Sequence, residues 1–317
     1  MPARAPLAAV TGAFSYAGSS IAAELLARGW RVRTLTGHPG RAPSSSPIET
    51  FPLDFTDVPT LRRSLAGVDT LVNTYWIRFP LGRITFDTAV DNSVTLFAAA
   101  REAGVRRIVH VSITNPDPES PYPYFRGKAE VEAALARCGV PCAVARPAFL
   151  FGRRGVLINN VAWALRHLPA VPVGDGGTYF VRGIHVDDLA ALCVDLAGGE
   201  SSTTVDAVGP QRMTFRELLE QVRDAVAPRT AIVSVQGPMM TAMATTFGLV
   251  LRDRILTTDE YRAMQAGLAD SAAASTGRTR FDDWLHGAAD GLGRRYLNDS
   301  RLHVAPAPAV APQGRLR

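Results

Sequence analysis

Short apolar runs alternate with amphipathic segments over the first half of the chain. Residues 7–11 form an apolar run of strand length that ends at Gly12, and residues 19–28 space their apolar side chains at helical intervals. The alternation continues with strands over 31–36, 48–53, 70–74, 107–111 and 141–146. Helices fall over 59–65, over 85–103 and from Tyr124 to about Cys138-Gly139. Strand and helix in regular turn predict an α/β fold, a doubly wound parallel sheet. After Gly152 the pattern loosens. Helices are predicted over 156–168, 187–197, 214–226, 238–251, 258–266 and 281–296, with short strands over 180–184 and 203–208. Thr214 followed by Glu217 three residues on is a capping box. The expected organisation is a sheet domain over 1–152, with 184–208 returning to it. A smaller, mainly helical substrate lobe takes 153–300, and a Pro/Ala-rich disordered tail takes 301–317.

Composition narrows the partners. The 317 residues are 47% hydrophobic and 20% charged, with net charge +5. The arginines are scattered among acids in nothing longer than pairs such as Arg106-Arg107 and Arg153-Arg154, which argues against nucleic acid. Cys138, Cys142 and Cys193 are odd in number and unpaired in spacing, so neither a disulfide framework nor a zinc site is expected, and no other metal. A cytoplasmic protein without a signal peptide is the expectation. The longest apolar run, residues 238–251, is broken by threonines and falls short of the ~20 residues of a membrane span. The expected partner is therefore a small molecule and not a membrane, for a monomer or homodimer.

The first strand and helix are joined by Gly12-Ala13-Phe14-Ser15-Tyr16-Ala17-Gly18. Strand, glycine turn and helix together make a phosphate-binding unit. Gly12 allows the tight turn, Gly18 lets the helix approach the strand, and the helix N-terminus offers N–H groups to a pyrophosphate. Gly12, Phe14, Ser15, Tyr16 and Gly18 are the cofactor contacts expected here. At the end of the second strand an acid would bind the ribose of NAD and a cation the 2′-phosphate of NADP. Thr36-Gly37-His38-Pro39-Gly40-Arg41 carries no acid, so His38 and Arg41 point to NADP, with NAD possible. Asn73 at the fourth strand end is a further expected cofactor contact. Tyr75, Trp76 and Arg78 follow it at the ligand-binding edge of such sheets, where they either line a substrate pocket or pack.

Lys128 is the only lysine among 34 Lys plus Arg. A chain that otherwise uses arginine keeps an ammonium here, four residues after Tyr124, and residues four apart share a helix face. A nearby cation favours phenolate and draws a tyrosine, normally near pH ~10, toward acid-base work at neutral pH.

These residues together resemble the atypical, extended short-chain dehydrogenase/reductases of the NmrA-like and epimerase/dehydratase-like branch, over roughly residues 7–297. The resemblance implies a Rossmann fold, with the turn from Gly12 to Gly18 as its glycine motif and Asp54 as the adenine contact. It makes Asn92 the helix asparagine, Thr114 the active-site hydroxyl with Ser112 as the weaker candidate, and Tyr124 and Lys128 the Tyr-x-x-x-Lys pair. Arg146-Pro147 and residues 184–188 resemble further landmarks of the subgroup. By that logic Tyr124 protonates a carbonyl oxygen, Lys128 holds the ribose and depresses the Tyr124 pKa, Thr114 bonds the substrate oxygen and Asn92 places a water. Two departures stand out. Ser15 replaces the middle glycine, and the gap from Thr114 to Tyr124 is shorter than in sugar-nucleotide epimerases. The implied activity is NADPH-dependent reduction of a small or medium carbonyl compound. The alternatives are a non-catalytic NAD(P)-binding sensor or assembly protein and a sugar-nucleotide epimerase or dehydratase.

Overall fold

A computed structural model describes residues 4–42, 45–80 and 82–304, apart from the side chains of Arg41 and residues 302–304. The elements run β1 (Leu7–Thr11), α1 (Tyr16–Ala27), β2 (Arg31–Thr36), β3 (Glu49–Pro52), α2 (Val58–Ser64), β4 (Thr70–Asn73), α3 (Phe86–Glu102), β5 (Arg107–Val111), α4 (Pro123–Arg137), β6 (Cys142–Pro147), β7 (Phe149–Phe151) and α5 (Val156–His167). They continue with β8 (Ala170–Gly174), β9 (Phe180–Val181), β10 (Gly183–His185), α6 (Val186–Gly198), β11 (Thr203–Ala207), β12 (Met213–Thr214) and α7 (Phe215–Val226). Last come β13 (Ala231–Val235), α8 (Gly237–Leu251), α9 (Thr258–Gln265), α10 (Phe281–Ala288) and α11 (Asp299–Val304).

Seven strands form one parallel sheet in the order β11-β6-β5-β4-β1-β2-β3. The doubly wound sheet expected from the sequence is the one observed. Successive strand residues face opposite sides. Ala8, Val10, Val32, Val72 and Val109 pack with Ile21 and Leu25 of α1 and with Leu189 and Cys193 of α6. Leu7, Ala9, Leu35, Leu71 and Ile108 pack with residues of α2, α3 and α4, including Leu61, Leu96, Phe97 and Leu135. Each large side chain closed off in this way stabilises the fold by roughly 1.5–3 kcal/mol. Sheet order reverses between β1 and β4, and there the strand ends open the crevice in which such folds bind ligands.

A second core, around Phe151, Ile158, Leu165, Leu218, Val222, Phe281 and Leu285, lies within the C-terminal lobe of helices α5, α7 and α10. Three two-stranded ladders accompany it: β7 with β10, β8 with β13, and β9 with β12. The strands β7, β8 and β13 were not expected from the hydrophobic pattern. The helix expected over 281–296 stops at Ala288, and in the turns that follow Gly293 adopts φ +68° and lies against α5. A Cβ on Gly293 would sit 2.4 Å from the Ala162 carbonyl carbon, while Gly293 N–H donates to Asn159 Oδ1 at 3.1 Å. The chain is helical over residues 299–304, which takes in the first four residues of the stretch read as tail. The rest of that stretch, residues 305–317, lies outside the described residues.

Candidate active site

The glycine turn is closed by its own backbone. Gly12 sits at φ +68°, its N–H donates to Leu35 O at 2.9 Å, and its carbonyl accepts from Ser15 N–H at 2.8 Å. A positive φ is cheap only for glycine. A Cβ on Gly18 would stand 2.2 Å from the Gly12 oxygen, so no side chain fits there. Ser15 N-caps α1, its Oγ accepting from Gly18 N–H at 3.2 Å. The serine in place of the middle glycine therefore organises the helix mouth. The other first-turn N–H groups, of Tyr16 and Ala17, have no intrahelical acceptor by construction. Phe14 is half-buried beside them. This cradle, with no room for a Cβ and a capped helix N-terminus behind it, fits a pyrophosphate.

Tyr16 turns its ring under the loop after β7. Its buried hydroxyl has no hydrogen-bond partner, and a Cβ on Gly152 or Gly155 would approach it to 2.8 or 2.9 Å. Burial, with Asp187 nearby, pushes this phenol above its ordinary range. Arg154 reaches the same helix mouth and donates to Ser19 Oγ at 3.1 Å. Sequence reasoning passed over Arg154, treating Arg153-Arg154 as solvated surface. Its one signal was its position between Gly152 and Gly155.

At the ends of β2 and β3 the side chains stay open. His38 is exposed, and its backbone N–H donates to Thr36 Oγ1 at 3.0 Å. The Arg41 side chain lies outside the described residues. Asp54 is exposed and accepts from Thr56 N–H and Oγ1 at 2.9 and 2.7 Å, which holds its carboxyl below the usual range.

Several expected site residues are tied into the structure. Asn73 is fully buried; its Oδ1 accepts from Thr11 Oγ1 and Tyr75 N–H, both at 3.1 Å, and its Nδ2 lies 3.1 Å from His110 Nδ1. Asn92 Nδ2 donates to the Tyr75 hydroxyl at 2.8 Å, and the Tyr75 ring leans on Phe55 with centroids 4.8 Å apart. Arg78 pairs with Glu260 at 2.7 Å and Asp299 at 2.8 Å and donates to Ile255 O at 3.0 Å, so it joins the loop after β4 to the C-terminal lobe. Of the distant landmarks, Arg146 pairs with Glu132 of α4, and Asp188 Oδ2 accepts from the Arg278 and Thr279 N–H groups at 2.9 and 2.7 Å.

The two hydroxyl candidates after β5 differ in their bonding. Thr114 is fully buried and its Oγ1 donates to Leu268 O at 2.8 Å, a tie to the lobe. Ser112 is 4% exposed and its Oγ has no partner. His110, two residues earlier, is fully buried with Nε2 unpartnered, and burial plus the Lys128 charge hold it well below the usual imidazole range.

Tyr124 and Lys128 share α4 as the spacing requires, with Trp76 against both. The Trp76 ring lies 5.9 Å from the Tyr124 ring, edge-on, and its centroid is 4.7 Å from Lys128 Nζ. Phe86 stacks on Trp76 at 6.1 Å and meets Tyr124 edge-on at 5.8 Å. Gly127 makes room, since a Cβ there would meet Trp76 at 3.0 Å. Lys128 is 2% exposed and donates to Val111 O at 3.0 Å. Burial lowers its pKa to about 7, against the opposing pull of Glu132. Tyr124 departs from expectation. Its phenol is raised by burial and then by Glu260, and the cation acting against this is Arg78. Lys128 does not depress it, because the ammonium is turned to the Val111 carbonyl and the Trp76 face.

Comparison with known proteins places this geometry. A family model described as NAD(P)H-binding matches residues 12–198, more than half of the chain. An uncharacterised protein of Mycobacterium tuberculosis is 28% identical over 223 residues, 69% of this chain and 24% of that protein. This chain thus spans about a quarter of the length of the first curated relatives it matches. The 4-hydroxy-2-methyl-3-oxo-4-farnesyl-3,4-dihydroquinoline-1-oxide ketoreductase of Stigmatella aurantiaca is 26% identical over 66% of this chain and 71% of its own length. Among solved structures, Citrobacter sp. triphenylmethane reductase complexed with NADP(H) superposes with TM-score 0.73 at 20% identity, over 89% of this chain and 99% of that one. Sheet order, glycine cradle and family match agree: the chain belongs to the NAD(P)H-binding family, with the fold of the atypical short-chain dehydrogenase/reductases.

Proposed function

We propose that this protein is an NADPH-dependent reductase of a small or medium carbonyl compound, with Lys128 and Tyr124 at its reaction centre. The observation that carries the reading is the burial of the chain's one ammonium. Lys128 Nζ has three donors, and its hydrogen bond within the protein is to Val111 O. Leaving a charge so poorly supplied in the interior is costly, and ribose hydroxyls arriving at the crest of β5 would supply the missing acceptors. The Gly12–Gly18 turn would hold the pyrophosphate, with Arg154 beside it. NADPH, when bound, supplies a hydride. Tyr124, kept protonated by burial, is fit to donate a proton to an oxygen that is gaining electron density, which favours reduction over oxidation. Ser112 replaces Thr114 as the hydroxyl placed to bond that oxygen, because Thr114 is engaged by Leu268. The Stigmatella ketoreductase and the Citrobacter reductase support reductive chemistry on this fold. The absence of an acid after Thr36 supports NADPH over NADH.

A second reading has its own observation. Thr114 and Asn92 are both bonded within the protein, and Trp76 covers Lys128, as suits a protein that binds the dinucleotide without turning it over. The test separates the two. Calorimetric titration should give tighter binding of NADPH than of NADH, and a panel of aromatic and aliphatic ketones should yield at least one that consumes NADPH at the nicotinamide absorbance band. Binding without consumption across the panel would select the second reading.

A further inference from the structure

We infer that helix α8 is a docking face for an anionic lipid surface. This is the stretch the sequence singled out as the longest apolar run, too short to span a bilayer, and no described helix is long and apolar enough to cross one. The structure leaves it on the outside. Of its residues only Gly237, Ala244 and Gly248 are buried. Met239 is 56% exposed, Met243 43%, Phe247 38%, Leu249 76% and Val250 75%. These five include the two most exposed large apolar side chains among the described residues, and Met239, Met243, Phe247 and Val250 follow one another at helical intervals along one side. An apolar patch of this kind on a soluble fold marks a contact surface.

Three observations favour lipid as the occupant. The helix carries no charged residue from Gly237 to Leu251. Its three exposed or half-exposed threonines turn their hydroxyls onto the helix's own carbonyls: Thr241 to Pro238 O at 3.1 Å, Thr245 to Thr241 O at 2.8 Å and Thr246 to Ala242 O at 3.0 Å. Polar groups satisfied within their own helix lose little on leaving water. Beyond the C-terminal end, where the most exposed apolar residues lie, the exposed side chains of Arg252 and Arg254 are cationic. Arg254 donates to Pro80 O at 3.1 Å, so the nearby loop with exposed Arg83 and Ile84 adjoins the same end. Asp253, between the two arginines, is buried and accepts from Tyr296 and Ser300. An apolar face with a cationic rim matches the boundary of an anionic membrane. A second copy fits less well. A 15-residue helix is about 22 Å long and ~10 Å wide, and a face of that size is well short of the ~800 Å² per partner of a stable interface.

The test is co-sedimentation of the full chain with vesicles of phosphatidylcholine alone or mixed with phosphatidylglycerol. The chain should pellet with the mixed vesicles, weakly with phosphatidylcholine, and less as salt rises. The double variant Leu249→Glu, Val250→Glu should lose at least about tenfold in partitioning, and Arg252→Glu about fivefold. Both positions of the double variant are three-quarters exposed, so its melting temperature and NADPH affinity should match wild type. The inference is overturned if wild type stays in the supernatant with both vesicles, or if the double variant pellets as wild type does. It is equally overturned if light scattering shows a lipid-free wild-type dimer that the double variant lacks, since the face would then be covered by a second copy.

Discussion

The glycine turn and the Tyr124–Lys128 crest, which the proposed function joins in one site, are built in opposite ways. The backbone bonds that shape the turn lie within it or beside it, and the distant contacts of Tyr16 and Arg154 are added from outside. Gly12, Ser15 and Gly18 bond or abut one another, and Leu35 is the next strand's contribution. The crest is assembled from far apart in sequence. Trp76 reaches it from the loop after β4, Val111 and Ser112 from β5, Leu268 from the lobe, and Glu260 and Asp299 act through Arg78. A local device has one way to be right, and its spacing announces it. A non-local one can be re-plumbed without changing the spacing of its own residues. Tyr124 and Lys128 keep the family interval while their electrostatics differ from what the interval implies.

The strongest way to break the local half is Gly18→Val. With 2.2 Å available between a Cβ and the Gly12 oxygen, NADPH affinity should fall at least a hundredfold, ~2.7 kcal/mol. Calorimetry on protein shown by circular dichroism to be folded measures this, and unchanged affinity would place the dinucleotide elsewhere. The non-local half is sharpened by its two hydroxyls. Ser112→Ala should lower turnover about tenfold or more at unchanged NADPH affinity. Thr114→Val should leave turnover within a few-fold and cost about 1 kcal/mol of stability through the lost bond to Leu268. The reverse pattern in steady-state kinetics and urea unfolding would return Thr114 to the role its spacing suggested.

A smaller effect follows from pH. Lys128 titrates near 7 when folded against 10.5 ordinarily. Between those values the unfolded chain holds a proton that the folded one does not, so the contribution of Lys128 to stability rises with pH across that window. Below about pH 7 the cost of the buried ammonium is fully present. Lys128→Met should therefore be the more stable protein at pH 6, by about 1 kcal/mol or more, with the difference shrinking toward pH 10. Unfolding midpoints of the two proteins at pH 6 and pH 9.5 check this. Parallel behaviour would mean that the ammonium is better solvated than its burial implies.

These contrasts also explain what was legible in the sequence. The sheet was, because continuous apolar runs such as residues 7–11 and 107–111 have no other use in so regular an alternation. The turn was, because Gly12 and Gly18 fall between strand and helix. The strands of the lobe were not: residues 170–174 carry Pro172 and end in Gly174, residues 231–235 lie outside the regular alternation, and the two pair only with each other. The turns after α10 were not, since the close approach of α5 at Gly293, bonded to Asn159, joins residues 134 positions apart. The spending of Thr114 on Leu268 and the ion pairs of Arg78 join residues 154 to 221 positions apart in the chain, and the burial of Lys128 under Trp76 is side-chain packing that spacing does not encode. Arg154 was hidden in a charge pair that looked like ordinary surface.

On the proposed reading, the one lysine is kept for chemistry at a cost to the fold. Turnover of Lys128→Met on the best ketone of the panel, at saturating NADPH, tests it most directly, with Lys128→Arg as the charge-retaining control. The methionine fills the same space under Trp76, so the protein should fold and be at least as stable as wild type at neutral pH. Its turnover should be lower by about a hundredfold or more, and the arginine variant, a broad fork in place of a compact ammonium, should not restore it. A folded Lys128→Met protein that consumes NADPH at near wild-type rate would contradict the account.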